Sequence, residues 1–165
     1  MNFLIDKMET SDWSQVSEIY FEGIKTGNAT FQNDVPSWED WDREHLKECR
    51  FVARLNQHIL GWVALSAVSN RPVFRGVAEE SIYIKAEYRG LGVATALMQH
   101  LIEQSELLGF WTLEAKIFPE NIESIALHHK FGFKSVGIRH KIGQSVLGSW
   151  RDIDVLERRS SVVGQ

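Results

Sequence analysis

The stretch Arg89-Gly90-Leu91-Gly92-Val93-Ala94-Thr95 decides how this chain is read. It stands between a strand-like run, Ala78 to Ile84, and a helical series from Gly92 to Leu108. In that series Val93, Leu97, Leu101 and Leu108 share one face, and Gly109 stops it. Glycines at a strand-to-helix turn let backbone amides approach a bound group closely. The unpaired amides and the dipole of the helix's first turn favour a phosphate there, and Arg89 adds a formal charge. The competing reading is a turn whose glycines serve backbone geometry alone. Spelling weighs against two other phosphate sites. No Gly-x-x-x-x-Gly-Lys-Ser/Thr string exists, which argues against P-loop chemistry. Gly90 and Gly92 do open a Gly-x-Gly-x-x-Gly pattern, with Glu114 near the acidic position about 20 residues on. Thr95 replaces the third glycine, however, and too little chain follows to build a doubly wound parallel sheet.

Outward from the turn, the pattern predicts alternating strands and helices. Upstream lie a short strand over 3–7, capping oxygens at Thr10-Ser11-Asp12, and a helix carrying Trp13, Val16, Ile19, Tyr20 and Ile24 at helical spacing. A loop over 28–35 leads to a second helix after Pro36, where Ser37 and Asp40 make an approximate capping box. Phe51 to Leu55 and Ile59 to Ser66 read as a hairpin around Asn56-Gln57-His58. Downstream follow a strand over 112–117, a helix over 121–131, and strands over 133–142 and 151–157. This order describes one α/β (α+β) domain over residues 1–165, a mixed sheet with helices packed on it.

Composition narrows the function. The 165 residues include 18 Lys plus Arg against 22 Asp plus Glu, for a net charge of -4, so no positive field exists to hold a nucleic acid or an anionic membrane. The most apolar run, Ile59 to Val68, is far shorter than the roughly 20 residues a membrane span needs. The N-terminus lacks a signal-peptide pattern and the single cysteine, Cys49, allows no internal disulfide, which leads us to expect a cytoplasmic protein. His45 precedes Cys49 by four residues, as if on one helix face, but no further Cys or His spacing completes a metal set; no metal is expected.

At this point the sequence resembles a family. Arg89 to Ala94 is similar to the Gln/Arg-x-x-Gly-x-Gly/Ala motif of the GNAT superfamily of N-acetyltransferases. Asn121 to Ser124, with Ala126-Leu127-His128-His129-Lys130-Phe131-Gly132-Phe133, resembles its Asn-x-x-Ser/Ala and Leu-Tyr-x-Lys-x-Gly-Phe helix. Ala29-Thr30-Phe31, Arg71-Pro72-Val73-Phe74, Ala78 to Ile84 and Trp150-Arg151-Asp152 are similar to the phosphinothricin and methionine sulfoximine acetyltransferase branch. The likeness runs from Ile5 to Arg158. It implies the GNAT acyl-CoA N-acyltransferase fold, with a central mixed, mostly antiparallel sheet flanked by helices. It also implies acetyl-CoA as co-substrate, direct transfer without an acyl-enzyme, and a homodimer.

The resemblance assigns residues. The pyrophosphate of acetyl-CoA would meet Arg89, Gly90, Leu91, Gly92, Val93, Ala94 and Thr95; its arm and acetyl oxygen would meet the strand at Ile82, Tyr83 and Ile84, beside Asn121 and Ser124. Transfer to an amine needs a base, a stabilised oxyanion and a proton for the thiolate. Strand alternation puts Glu79 with Ser81 and Tyr83 on one face, and Glu80 with Ile82 and Ile84 on the other. One of the two carboxylates is the base, and the family match favours Glu79. His128 stands where most of the superfamily carries tyrosine and this branch histidine, as thiolate proton donor or part of the base relay. Thr30, Phe31, Arg71 and Phe74 match substrate-binding segments, with Arg71 or Arg75 suited to clamp an acidic group on a small amine such as a glutamate-mimic toxin. The segment Gly143 to Trp150 lacks the branch's basic and aromatic positions, which leaves the acceptor open. Acetylation of a polyamine or protein N-terminus, and an acyl-CoA sensor without chemistry, are the alternatives.

Overall fold

The computed structural model describes every residue, Met1–Gln165. Seven strands form one sheet: β1 Leu4–Lys7, β2 Phe51–Leu55, β3 His58–Ala67, β4 Val77–Ile84, β5 Thr112–Ile117, β6 Lys134–Gln144 and β7 Trp150–Arg159. Their order across the sheet is β1-β2-β3-β4-β5-β7-β6, and only β4 and β5 run parallel. Helices α1 Trp13–Lys25 and α2 Trp38–Glu44 cover one face. Helices α3 Val93–Leu107 and α4 Ile122–Lys130 cover the other.

Strand β3 explains why the core has two halves. It is buried from Ile59 to Leu65, because helices cover both of its faces. A register shift in its pairing with β2 skips Leu60, and this bulge re-phases the alternation. Leu60, Val63 and Leu65 therefore pack toward α3, whereas Ile59, Trp62 and Ala64 join Val16, Ile19 and Trp41 on the α1–α2 side. Ser37 caps α2 as expected, its hydroxyl accepting from the Asp40 amide at 3.1 Å.

Several local expectations are corrected. Asp12 does not cap α1; its buried carboxylate accepts from the Glu9 amide and takes both terminal nitrogens of Arg54 at 3.0 Å. Leu108 lies past the end of α3 and is 54% exposed, so Met98 and Ile102 complete the buried face that Val93, Leu97 and Leu101 begin. His45 and Cys49 share no helix face, since α2 ends at Glu44 and Cys49 sits in a left-handed turn with φ 58°.

The sheet also makes an opening. Parallel pairing of β4 with β5 covers only Val77 to Glu79 against Thr112 to Glu114, yet β4 continues to Ile84 and β5 to Ile117. Beyond Glu79 the two strands part, leaving backbone groups of β4 without a strand partner on that side.

Candidate active site

A cleft of about 1550 Å³ fills this parting. It is lined by β4 from Glu79 to Ile84, by the glycine turn, by α4 through Asn121, Ser124 and His128, and by the loop after α1 that carries Thr30 and Phe31. The turn and the α4 cap, distant in sequence, thus meet in one cavity. Gly90 (φ 74°) and Gly92 (φ 85°) both hold left-handed backbone, although a Cβ would meet nothing within 4 Å. Conformation, not space, requires glycine here. The first bond into α3 runs from the Ala96 amide to the Gly92 carbonyl, so the amides of Val93, Ala94 and Thr95 have no intrahelical acceptor. Arg89, Gly90, Gly92, Ala94 and Thr95 line the cleft. Leu91 points to solvent and Val93 is buried in the core, so their side chains do not.

Alternation along β4 sorts its residues between the two faces. Glu79 sits on the side of α1, partly exposed, and its Oε2 accepts from Lys116 Nζ at 3.0 Å. It stands in register with Glu114 on β5, which stands in register with Glu157 on β7. Burial first, then the charges of Glu79 and Glu157 against the opposing Lys116, raise the Glu114 carboxyl above its ordinary range. Lys116 thus pairs with Glu79 and opposes the rise at Glu114. Tyr83, on the same face, packs against Tyr20 and Trp62, and burial drives its phenol far above the ordinary tyrosine value. Its ring comes so close to α1 that a Cβ on Gly23 would lie 2.6 Å from it.

On the opposite face Glu80 and His128 form a buried pair. His128 Nε2 lies 2.6 Å from Glu80 Oε1, with the two side chains 1% and 4% exposed. His128 Nδ1 lies 2.6 Å from the Ser124 carbonyl oxygen, one turn earlier in α4. A carbonyl only accepts, so Nδ1 carries hydrogen. Burial opposes the imidazolium, but the Glu80 charge and hydrogen bond outweigh it and hold the histidine above its ordinary value. Both ring nitrogens are taken up within the chain, so the imidazole presents neither to the cleft. The partner of His128 is Glu80 rather than Glu79.

The acceptor side also differs from expectation. Thr30 and Phe31 line the cleft, and Phe31 packs edge-on against Phe118 with ring centroids 4.9 Å apart. Gly143 of β6 is in contact with that ring: a Cβ there would lie 2.6 Å from Phe31. Arg71 and Phe74 instead lie outside the cleft on an exposed turn, the guanidinium over the Phe74 ring at 5.5 Å. The intervening Pro72–Phe74 turn keeps them on the surface. Arg139 of β6 is the arginine facing this side of the cleft, and it forms no ion pair. Its position on a β-strand far from the other motifs gave no signal in sequence. Arg151, quoted above only as part of a matching tripeptide, ties the loop together. It donates to the Gly27 carbonyl at 2.7 Å, to Asn28 Oδ1 at 2.8 Å and to Glu120 Oε2 at 3.1 Å, and stacks on Phe118 at 3.9 Å. Asn121 joins the same loop: its amide donates to the Asn28 carbonyl at 3.2 Å while Oδ1 caps α4 at the Ser124 amide.

A cleft opened by splayed parallel strands, with free helix amides at one end and carboxylates along the wall, suits a transferase that holds a phosphate-bearing donor. Residues 12–133 match the sequence model of the Acetyltransferase (GNAT) family. The chain belongs to this family. It is 36% identical over 84 residues to the L-methionine sulfoximine/L-methionine sulfone acetyltransferase of Pseudomonas aeruginosa, an alignment spanning 51% of this chain and 48% of that one. The chain thus spans about half the length of that relative. It is 33% identical to YwnH of Bacillus subtilis over 93% of this chain and 96% of the other. Among solved structures, the phosphinothricin acetyltransferase from Sinorhizobium meliloti, in complex with acetyl-CoA, superposes with a TM-score of 0.86 at 29% identity, over 96% of this chain and 89% of that one.

Proposed function

We propose that the protein transfers the acetyl group of acetyl-CoA to the α-amine of a small amino-acid-like substrate, a glutamate mimic such as phosphinothricin or methionine sulfoximine being the favoured acceptor. The observation carrying this reading is the single cleft that unites the glycine turn with Glu79 where β4 leaves β5. The donor's pyrophosphate would rest on the amides following Gly92, and its arm along β4 at Ile82 to Ile84. Glu79 takes a proton from the substrate ammonium, directly or through water. The freed amine attacks the thioester carbonyl, the C–N bond forms, the C–S bond breaks, and the proton shed by the attacking nitrogen passes to the departing thiolate. A strand amide at the parting stabilises the oxyanion. His128 acts through Glu80.

For the acceptor, Arg139 is the better clamp for an acidic group than Arg71, because it faces the cleft without a partner. Thr30 and Phe31 would shape the pocket beside it. The acting form is a homodimer. Edge strand β6 is exposed from Lys134 to Ile142 and carries Val136 and Ile138, with Leu147 and Trp150 beside it, an apolar surface that a second copy would cover.

A thiol-release assay with acetyl-CoA tests the reading, using phosphinothricin, methionine sulfoximine, ordinary amino acids, polyamines and a peptide as acceptors. Turnover selective for the glutamate mimics supports it. Turnover of polyamine or peptide alone refutes the acceptor class, and CoA binding without any turnover favours the sensor.

A further inference from the structure

The Glu80–His128 pair has a proton count that geometry dictates. Nδ1 of His128 already carries a hydrogen for the Ser124 carbonyl, so Nε2 of a neutral ring would face Glu80 Oε1 with a lone pair. Two lone pairs at 2.6 Å repel, and one proton must lie between them, on the ring or on the carboxyl. The pair is then neutral as a whole, and losing or gaining a proton would leave a net charge in a buried site. A group so poised is a poor proton carrier. The other oxygen, Glu80 Oε2, is buried and has no hydrogen-bond partner in the chain, although Glu80 lines the cleft. An orphaned buried oxygen is costly unless a ligand or water satisfies it.

We propose that Glu80 Oε2 is the acceptor for an amide N–H of the donor's pantetheine arm, with His128 as the positioning residue that orients the carboxyl through Oε1. This rests on the acyl-CoA reading above. The choice of ligand follows from sidedness. Glu80 faces the side of α3 and α4, where the glycine turn and Ser124 also lie, whereas Glu79 faces α1 and the acceptor loop. A ligand running from the glycine turn into the parting of β4 and β5 passes Glu80, and its pantetheine amides are the donors it brings.

Two substitutions separate hydrogen-bond acceptance from proton transfer. In Glu80→Gln the amide NH2 donates to Nε2 of a neutral His128, and the amide oxygen keeps the place of Oε2. In Glu80→Leu the acceptor is gone. The full-length variants are titrated calorimetrically with CoA and with adenosine 3′,5′-bisphosphate, which lacks the arm. Glu80→Gln is expected to bind CoA as the wild type does, while Glu80→Leu weakens CoA about tenfold, the worth of one good hydrogen bond. Binding of the bisphosphate stays unchanged in both. Should Glu80→Leu not fold, the doubly apolar Glu80→Leu/His128→Leu protein serves in its place. Unchanged CoA affinity in the apolar variant overturns the proposal, and so does Glu80→Gln weakening CoA as much as Glu80→Leu does, since the amide oxygen keeps the acceptor. A wild-type protein that binds no CoA refutes the acyl-CoA reading itself, whatever residue 80 is.

Discussion

Replacing His128 by leucine removes one half of a buried pair and leaves the other charged. The imidazole is 1% exposed, and Glu80 has its only side-chain partner in His128 Nε2. Breaking a buried pair from one side costs about 3–5 kcal/mol, because the remaining charge has neither water nor partner. For a chain of this length each 1 kcal/mol lowers Tm by roughly 2–4 °C, so His128→Leu is expected to melt roughly 6–20 °C below the wild type. Replacing both members by leucine removes the stranded charge, and the double variant should recover most of the loss. Thermal melts and urea unfolding of the three proteins complete the cycle. The pH dependence follows the same pair. The histidine binds its proton more tightly folded than unfolded, so its contribution is full below the ordinary value of 6.5 and is lost as pH rises through the higher folded value. The wild type should therefore lose stability over that window relative to His128→Leu. A single variant that unfolds within about 1 kcal/mol of the wild type, or a double variant less stable than the single, would refute the reasoning.

Other consequences are open to simple assays. Glu79→Gln keeps the shape of the β4 wall but cannot take a proton, so kcat should fall about 10²- to 10⁴-fold with little change in the KM for acetyl-CoA, read in steady-state kinetics. Burial, then the nearby Glu48 carboxylate, push the Cys49 thiol up to about 11, so it should resist iodoacetamide at pH 7.5, and Cys49→Ala should retain full turnover; loss of turnover would reopen a covalent acyl-enzyme. Ile138→Lys places a charge in the apolar surface of β6 and should convert a dimer to a species of 18.9 kDa in light scattering, with its melting curve little changed if the patch serves only association.

Much of the fold was legible because its signals are local. The glycine turn, the Ser37 cap, the Asn56-Gln57 hairpin turn and the apolar stripe of α3 each sit within a few residues, and the strand over 112–117 ends where its alternation ends. Errors fell where a tertiary partner competes with a local one. Asp12 reads as a helix cap until Arg54, from the neighbouring hairpin, takes its carboxylate. Cys49 reads as four residues beyond His45 on a helix until the chain leaves α2 for the extended backbone at His45.

The site divides the same way. Sequence alone determined that a phosphate-suited turn opens a long helix, that two adjacent carboxylates precede it, and that alternation sends them to opposite faces, because these depend on backbone period and on glycine's freedom at positive φ. Which face each carboxylate meets was decided only by folding. Helix α4 delivers His128, 48 residues beyond Glu80, to that carboxyl, while Lys116 on the neighbouring strand claims Glu79. Arg139 reaches the cleft and Arg71 does not, because β6 enters the sheet beside β7 and the Pro72 turn stays at the surface. Charge pairing and burial are long-range quantities, set by which strands stop pairing and where the helices then pack, and no spacing along the chain encodes them.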